Sequence, residues 1–238
     1  PPPLFFKQKT AYEIMPRLVC SEMCIRDRSE YLPKNVKLIR GWSGHPYSMV
    51  QELDSSFDAL MMVGYHSMAG QGGNPLAHTM SSSKLDSVFI NDQQTSEFFL
   101  HGNVAGKHGV PLVFVSGDAG LCEEVKEVSP NTTTHATMVG VGDSTISIQP
   151  EESRNMIQKK VTDALKGDMK SCVWKHPGSF VLRIRYIKQQ SAYRASQYNG
   201  ATLIDAKTVQ FDTDNYDEIM RFMLFTVCLL YTSPSPRD

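Results

Sequence analysis

The chain has 238 residues, with 24 Lys and Arg against 25 Asp and Glu and 41% apolar content. A formal charge of −1 gives no electrostatic basis for binding nucleic acid or an anionic membrane surface, and no apolar run reaches the roughly 18–20 residues of a membrane span. Five cysteines, at 20, 24, 122, 172 and 228, are an odd number without metal-site spacing, which argues against a disulfide framework.

Taken in chain order, residues 1–28 show neither helical nor strand periodicity. Their back-translation resembles sequencing-primer and transposase-adapter DNA, and so does that of residues 228–238. Both ends are expected to be non-native and to stand outside the fold, as a fusion scar would. Cys122 and Cys172 then remain as free thiols, which suits a reducing, cytoplasmic compartment.

Residues 35–40 and 59–63 are short apolar runs bounded by Gly and Asp, the pattern of buried strands, with a short helix at 46–53 between them. A strand is expected at 85–91, closed by the Asn-Asp-Gln-Gln turn. A helix follows over 96–107, then a strand over 110–116, a helix over 121–128 and an extended β-branched segment over 132–139. Residues 150–165 carry the clearest helix signals, with Pro150 at the start, Glu151 and Glu152 in the first turn and Lys166-Gly167 at the end. The alternation in 180–187 puts Leu182, Ile184 and Tyr186 on one face and Arg183 and Arg185 on the other. A last strand at 208–211 and an amphipathic helix at 216–227 complete the pattern. Strands alternating with helices predict an α/β fold, a mixed sheet flanked by helices with a smaller C-terminal α/β portion. The division expected is 29–149 for the first portion and 150–227 for the second.

The densest polar cluster, Gly64 to Thr79, follows directly on a buried-type strand. Ligands in open α/β sheets gather at the carboxyl ends of strands, so His66 stands where a site is expected, with His78 12 residues on. A flexible surface loop with two incidental histidines fits the same spacing. Glu97 opens a helix and His101 lies four residues further on the same face. A carboxylate and imidazoles from separate elements make ordinary zinc chemistry, yet Glu97 is equally suited to complement the helix N-terminus alone. Asp118, at a strand end, either lines the same crevice or ends a plain turn. His45, His108, His135 and His176 have no assignable partner and are read as structural or surface residues, and the methionines as core filler.

Several separated motifs, in order, carry a resemblance. They are PYSMVQELDSSFDALMMVGYHSMAG, LAHTMSSS, FINDQQTSE, NVAGKHGVPLVFVSGD, TISIQPEES, FVLRIRYI and TVQFDTDNYDEIMRFM. Together they resemble the zinc-dependent D-aminopeptidase family of the DppA type over nearly all of 31–227. The resemblance implies an α/β metallopeptidase with two zinc ions that removes the N-terminal residue of short D-residue peptides such as D-Ala-D-Ala. It also implies assembly into a homo-oligomeric ring. It makes His66 and Glu97 metal ligands and His78 the catalytic histidine, either a nucleophile or a proton shuttle, with His101 and Asp118 as additional site lining.

The chain also departs from that pattern. The family's upstream Asp-x-Glu and Asn-Asp-x-His ligands are not found, Ser96 stands in place of a Gly and His101 in place of an Asn. The first strands of the family fold are therefore expected to be missing and the chain by itself inactive. A non-catalytic binding or assembly protein on the same fold is the alternative, and a hydrolase of another amide a third reading.

Overall fold

The computed structural model describes residues 43–228 together with 37, 39 and 41. The strand expected at 35–40 falls almost wholly outside them, as do 1–28 and 229–238. Among the described residues, two sheets share one helix between them.

The first sheet is mixed, in the order β1-β4-β5-β6. Strands β1 (Leu60–Tyr65), β4 (Leu112–Asp118) and β5 (Thr133–Val141) run parallel, and β6 (Ser144–Ser147) returns antiparallel to β5. Every residue of β4 is buried, which is why its sequence reads as a continuous apolar run rather than an alternation. Helices α2 (Ala119–Val128) and α3 (Pro150–Lys166) pack against β4 and β5.

The second sheet is antiparallel, in the order β3-β2-β7-β9-β8, from β2 (Leu85–Ile90), β3 (Gln93–Gln94), β7 (Phe180–Tyr186), β8 (Ala201–Leu203) and β9 (Thr208–Thr213). It draws strands from both sides of residue 150. In β7 the alternation holds: Leu182, Ile184 and Tyr186 are buried, while Arg183 and Arg185 turn outward to Asp92 and Asp86. Helices α4 (Gln189–Ala195) and α5 (Tyr216–Met223) cover this sheet, and a π turn, Leu224–Cys228, ends the described chain. The helix expected over 216–227 thus changes its hydrogen-bond spacing after Met223.

Helix α1 (Glu97–Lys107) lies between the two cores. Phe98 packs with Met62, Leu112 and Leu121 of the first, while Leu100, Val104 and Ala105 pack with Val88, Leu182 and Ile184 of the second. The Tyr216 hydroxyl donates to the Leu100 carbonyl at 2.9 Å, tying α5 to the same helix. Met49 and Met62 are core residues, as the sequence suggested. Cys122 and Cys172 are buried free thiols. No helix among the described residues is long and apolar enough to cross a membrane.

Two local features give direct tests. Gly117 sits where β4 passes the end of β1; a Cβ there would stand 2.1 Å from the Tyr65 carbonyl oxygen. Because that neighbour is backbone and cannot swing away, Gly117→Ala is expected to cost about 3 kcal/mol in urea unfolding. Glu124, on α2, is buried and takes a 2.8 Å hydrogen bond from the Ser96 hydroxyl, while its Oε2 has no partner among the described residues. Burial, with the Asp118 charge adding to it, pushes its carboxyl up to about 7. The native state therefore keeps a proton that the unfolded chain, with an ordinary carboxyl near 4.3, gives up earlier. Stability from this group is fully present below about pH 4.5 and is lost as pH rises towards 7. Glu124→Gln should flatten that decline, making the variant more stable than the parent at pH 8 by on the order of 2 kcal/mol, with little difference at pH 4.5.

Candidate metal centre

His66 follows directly on the carboxyl end of the parallel strand β1, the position open α/β sheets use for ligands. At the end of β1, Gly64 takes φ +76°, a left-handed conformation open to glycine, and the register with β4 shifts between Val63 and Tyr65. That bulge turns the chain so that His66 follows the strand into the pocket.

His66, His78 and Glu97 each offer a ligand atom within 4.8 Å of the others, and all three residues are buried. His66 Nε2 is 3.9 Å from Glu97 Oε1, and His78 Nε2 is 3.7 Å from the same oxygen. The two imidazoles stack with centroids 4.3 Å apart and planes 25° from parallel. His66 Nδ1 lies 3.0 Å from the Ser67 carbonyl and His78 Nδ1 2.7 Å from the Leu76 carbonyl. A carbonyl accepts only, so Nδ1 carries a proton in each ring and Nε2 is the ring nitrogen that faces Glu97. Two ring nitrogens and a carboxylate oxygen then stand together in a buried space, a donor set able to hold a metal ion. The backbone acceptor on each distal ring nitrogen is the usual support of a ligating histidine. The mixed nitrogen and oxygen donor set suits a borderline-soft ion such as zinc.

Glu97 is placed by its helix. Ser96 is the N-cap of α1, its hydroxyl accepting from Phe99 N at 3.2 Å, so Glu97 opens the first turn where a negative charge is favoured. Its Oε1 also accepts from the backbone N–H of Met80, 3.0 Å away. The loop between the two histidines is held at several points. Thr79 Oγ1 accepts from Ala69 N and donates to the Thr95 carbonyl, and Gln94 Nε2 donates to the Ala69 carbonyl at 2.6 Å.

The other two residues singled out in the sequence stand apart from this cluster. His101 is buried one turn along α1, with Nδ1 3.1 Å from the Tyr65 hydroxyl and its ring edge-on to the tyrosine. Asp118 is fully buried and directs its carboxylate at Ser67, Asn74 and Leu121 rather than into the donor cluster. Ser67, Asn74 and Thr79 were not singled out individually in the sequence. Only their place in the polar cluster pointed to them, since their partners lie 10 to 51 residues away. His176 is structural, its Nε2 2.6 Å from the Asn103 carbonyl.

The model of the D-aminopeptidase family Peptidase M55 matches residues 28–225. The D-aminopeptidase of Bacillus subtilis (strain 168) is 29% identical over 218 residues, covering 86% of this chain and 77% of the relative. A solved structure described as the Zn-dependent D-aminopeptidase DppA from Bacillus subtilis, a self-compartmentalizing protease, superimposes with a TM-score of 0.78 at 28% identity. That match covers 87% of this chain and 75% of the other. The sequence, the α/β architecture and the strand-end position of the donor cluster agree, and the chain belongs to the Peptidase M55 family of D-aminopeptidases.

Proposed function

We propose that this chain carries the site of a zinc aminopeptidase that removes the N-terminal residue of short D-amino-acid peptides. In this reading His66 and Glu97 hold the ion and His78 moves a proton at the scissile amide. The observation that carries it is the buried His66–His78–Glu97 cluster, gathered where His66 leaves the carboxyl end of β1. A zinc ion held there supplies Lewis acidity for amide hydrolysis. His78 has the right equipment for proton transfer: its Nδ1–H is fixed on the Leu76 carbonyl, which leaves Nε2 as the basic atom in the pocket. Burial of the site excludes bulk water and strengthens each of these interactions. Family membership and the name of the Bacillus relative support the D-peptide substrate class.

The donors among the described residues suffice for one ion, so zinc titration of the purified chain is expected to saturate near one ion per chain. His66→Ala and Glu97→Gln should lose both the ion and release of D-Ala from D-Ala-D-Ala. His78→Ala should keep the ion and lose turnover by roughly 100-fold or more. Loss of zinc in His78→Ala would make it a third ligand instead. A zinc-loaded parent that hydrolyses neither D-Ala-D-Ala nor L-Ala-L-Ala would favour the non-catalytic alternative and fit the expectation of an inactive chain.

We also infer self-association, because the structural relative is described as self-compartmentalizing. The β5–β6 hairpin supports it. Val139 pairs with Ile146 across the hairpin, and Val139, Val141 and Ile146 are 46%, 58% and 69% exposed, an apolar group that favours association when covered. The double substitution Val141→Glu with Ile146→Glu should lower the mass seen in sedimentation while leaving the circular dichroism spectrum unchanged.

A further inference from the structure

We propose that Asp118 is the positioning residue of the metal centre, its carboxylate setting the two carbonyls that orient His66 and His78. The inference rests on the reading of His66 and Glu97 as zinc ligands and of His78 as the proton-moving residue beside them.

Asp118 is fully buried, and among the described residues no cation pairs with it. A carboxylate in that position is stable only when its oxygens are satisfied by hydrogen bonds, and four donors satisfy them. Leu121 N donates to Oδ1 at 2.8 Å, the ordinary N-cap bond of α2, and the Ser67 hydroxyl donates to the same oxygen. Ser67 N donates to Oδ2 at 2.7 Å and Asn74 Nδ2 to Oδ2 at 2.6 Å. Capping needs only the first of these bonds. The whole of Oδ2 is given to the loop between the candidate site histidines.

What each tie holds is the second half of the argument. Ser67, fixed through its N–H and hydroxyl, presents the carbonyl that receives His66 Nδ1 and also the backbone N–H of His78 at 3.3 Å. Asn74, fixed through its amide, accepts from Leu76 N at 2.8 Å with its own Oδ1 and from Ala77 N at 3.0 Å with its carbonyl. Leu76 in turn presents the carbonyl that receives His78 Nδ1. Both distal-nitrogen acceptors are therefore one residue or one hydrogen bond from a donor to Asp118. Groups that orient a ligating imidazole through its distal nitrogen carry about 10- to 100-fold in metal affinity.

The test is zinc affinity of the full chain, by competition with a chromophoric chelator at 25 °C, with Co2+ d–d spectra as an independent view of ligand geometry. Asp118→Asn keeps the cap acceptor but places an amide NH2 where two donors already point. Asn74→Ala leaves the cap untouched and cuts only the loop tie. Asp118→Asn, which loosens the carbonyl that orients the ligand His66, is expected to weaken zinc binding about tenfold or more and to alter the Co2+ spectrum. Asn74→Ala, whose tie leads only to the carbonyl on His78, is expected to keep the ion and to lower kcat for release of D-Ala from D-Ala-D-Ala about tenfold. A folded Asp118→Asn with a lowered melting temperature but parental zinc affinity and Co2+ spectrum would overturn the proposal and leave Asp118 a helix cap. If Asp118→Asn fails to fold, Ser67→Ala, which removes the hydroxyl tie at the residue presenting the His66 acceptor, decides by the same zinc criteria. His66→Ala separates the two levels: if it leaves zinc affinity unchanged, the metal reading itself fails, and this inference with it. If it abolishes binding while neither Asp118→Asn nor Ser67→Ala weakens it, only the positioning role fails.

Discussion

The structure depends on one electrostatic constraint, that two imidazole nitrogens and a carboxylate oxygen are held together out of water. Glu97 and the two histidines are each less than one-tenth exposed, and burying a carboxylate costs several kcal/mol unless something positive or hydrogen-bonding meets it. Part of that cost is met locally by the Met80 N–H and by the positive end of α1. Much of the surrounding architecture serves to keep the cluster from relaxing apart.

Helix α1 does most of this work because it belongs to both cores. Phe98 locks it to the parallel sheet, and Leu100 and Val104 lock it to the antiparallel one. Glu97 sits at its first turn and cannot retreat without unpacking one of the two. Interiors packed at crystal-like density yield little to such movement. The histidines come from the other side of the pocket, one on a strand end and one on a loop, and need a different restraint. Backbone contact supplies some of it. Gly140 N donates to the Gly73 carbonyl at 2.5 Å, and a Cβ on Gly140 would meet that oxygen at 2.4 Å. The loop is thus pressed between β5 and the pocket at a point where no side chain fits.

How much of this was legible in the sequence follows from the range of each interaction. The buried strand at 59–63, the helix over 96–107 opened by Glu97 and the alternation in β7 are encoded within a few residues and could be read directly. The proximity of His66 to His78 could not, because an 11-residue loop with three glycines admits many closures, and only the series of family motifs made it specific. Strand β6 escaped notice because all four of its residues are exposed and carry no burial pattern. Helix α4 is seven residues long with two buried alanines, too short for a periodic stripe. Asp118 was seen as a strand end, but its bonds to Ser67 and Asn74 span 51 and 44 positions, which no local rule reaches.

That difference in range bears on how the site is built. A metal centre whose ligands were ordered only by the ion would bind it at the expense of loop entropy, roughly 1–2 kcal/mol for each residue fixed. Here Ser67, Asn74 and Thr79 already hold the loop through side-chain bonds to β4 and to the segment before α1. Both ring tautomers are set by carbonyls that those bonds place. The ordering is contained in folding the two sheets around α1, so an ion bound at the cluster would not also have to close the loop. Such preorganisation brings groups from a strand end, a loop and a helix N-terminus to one place before a ligand arrives.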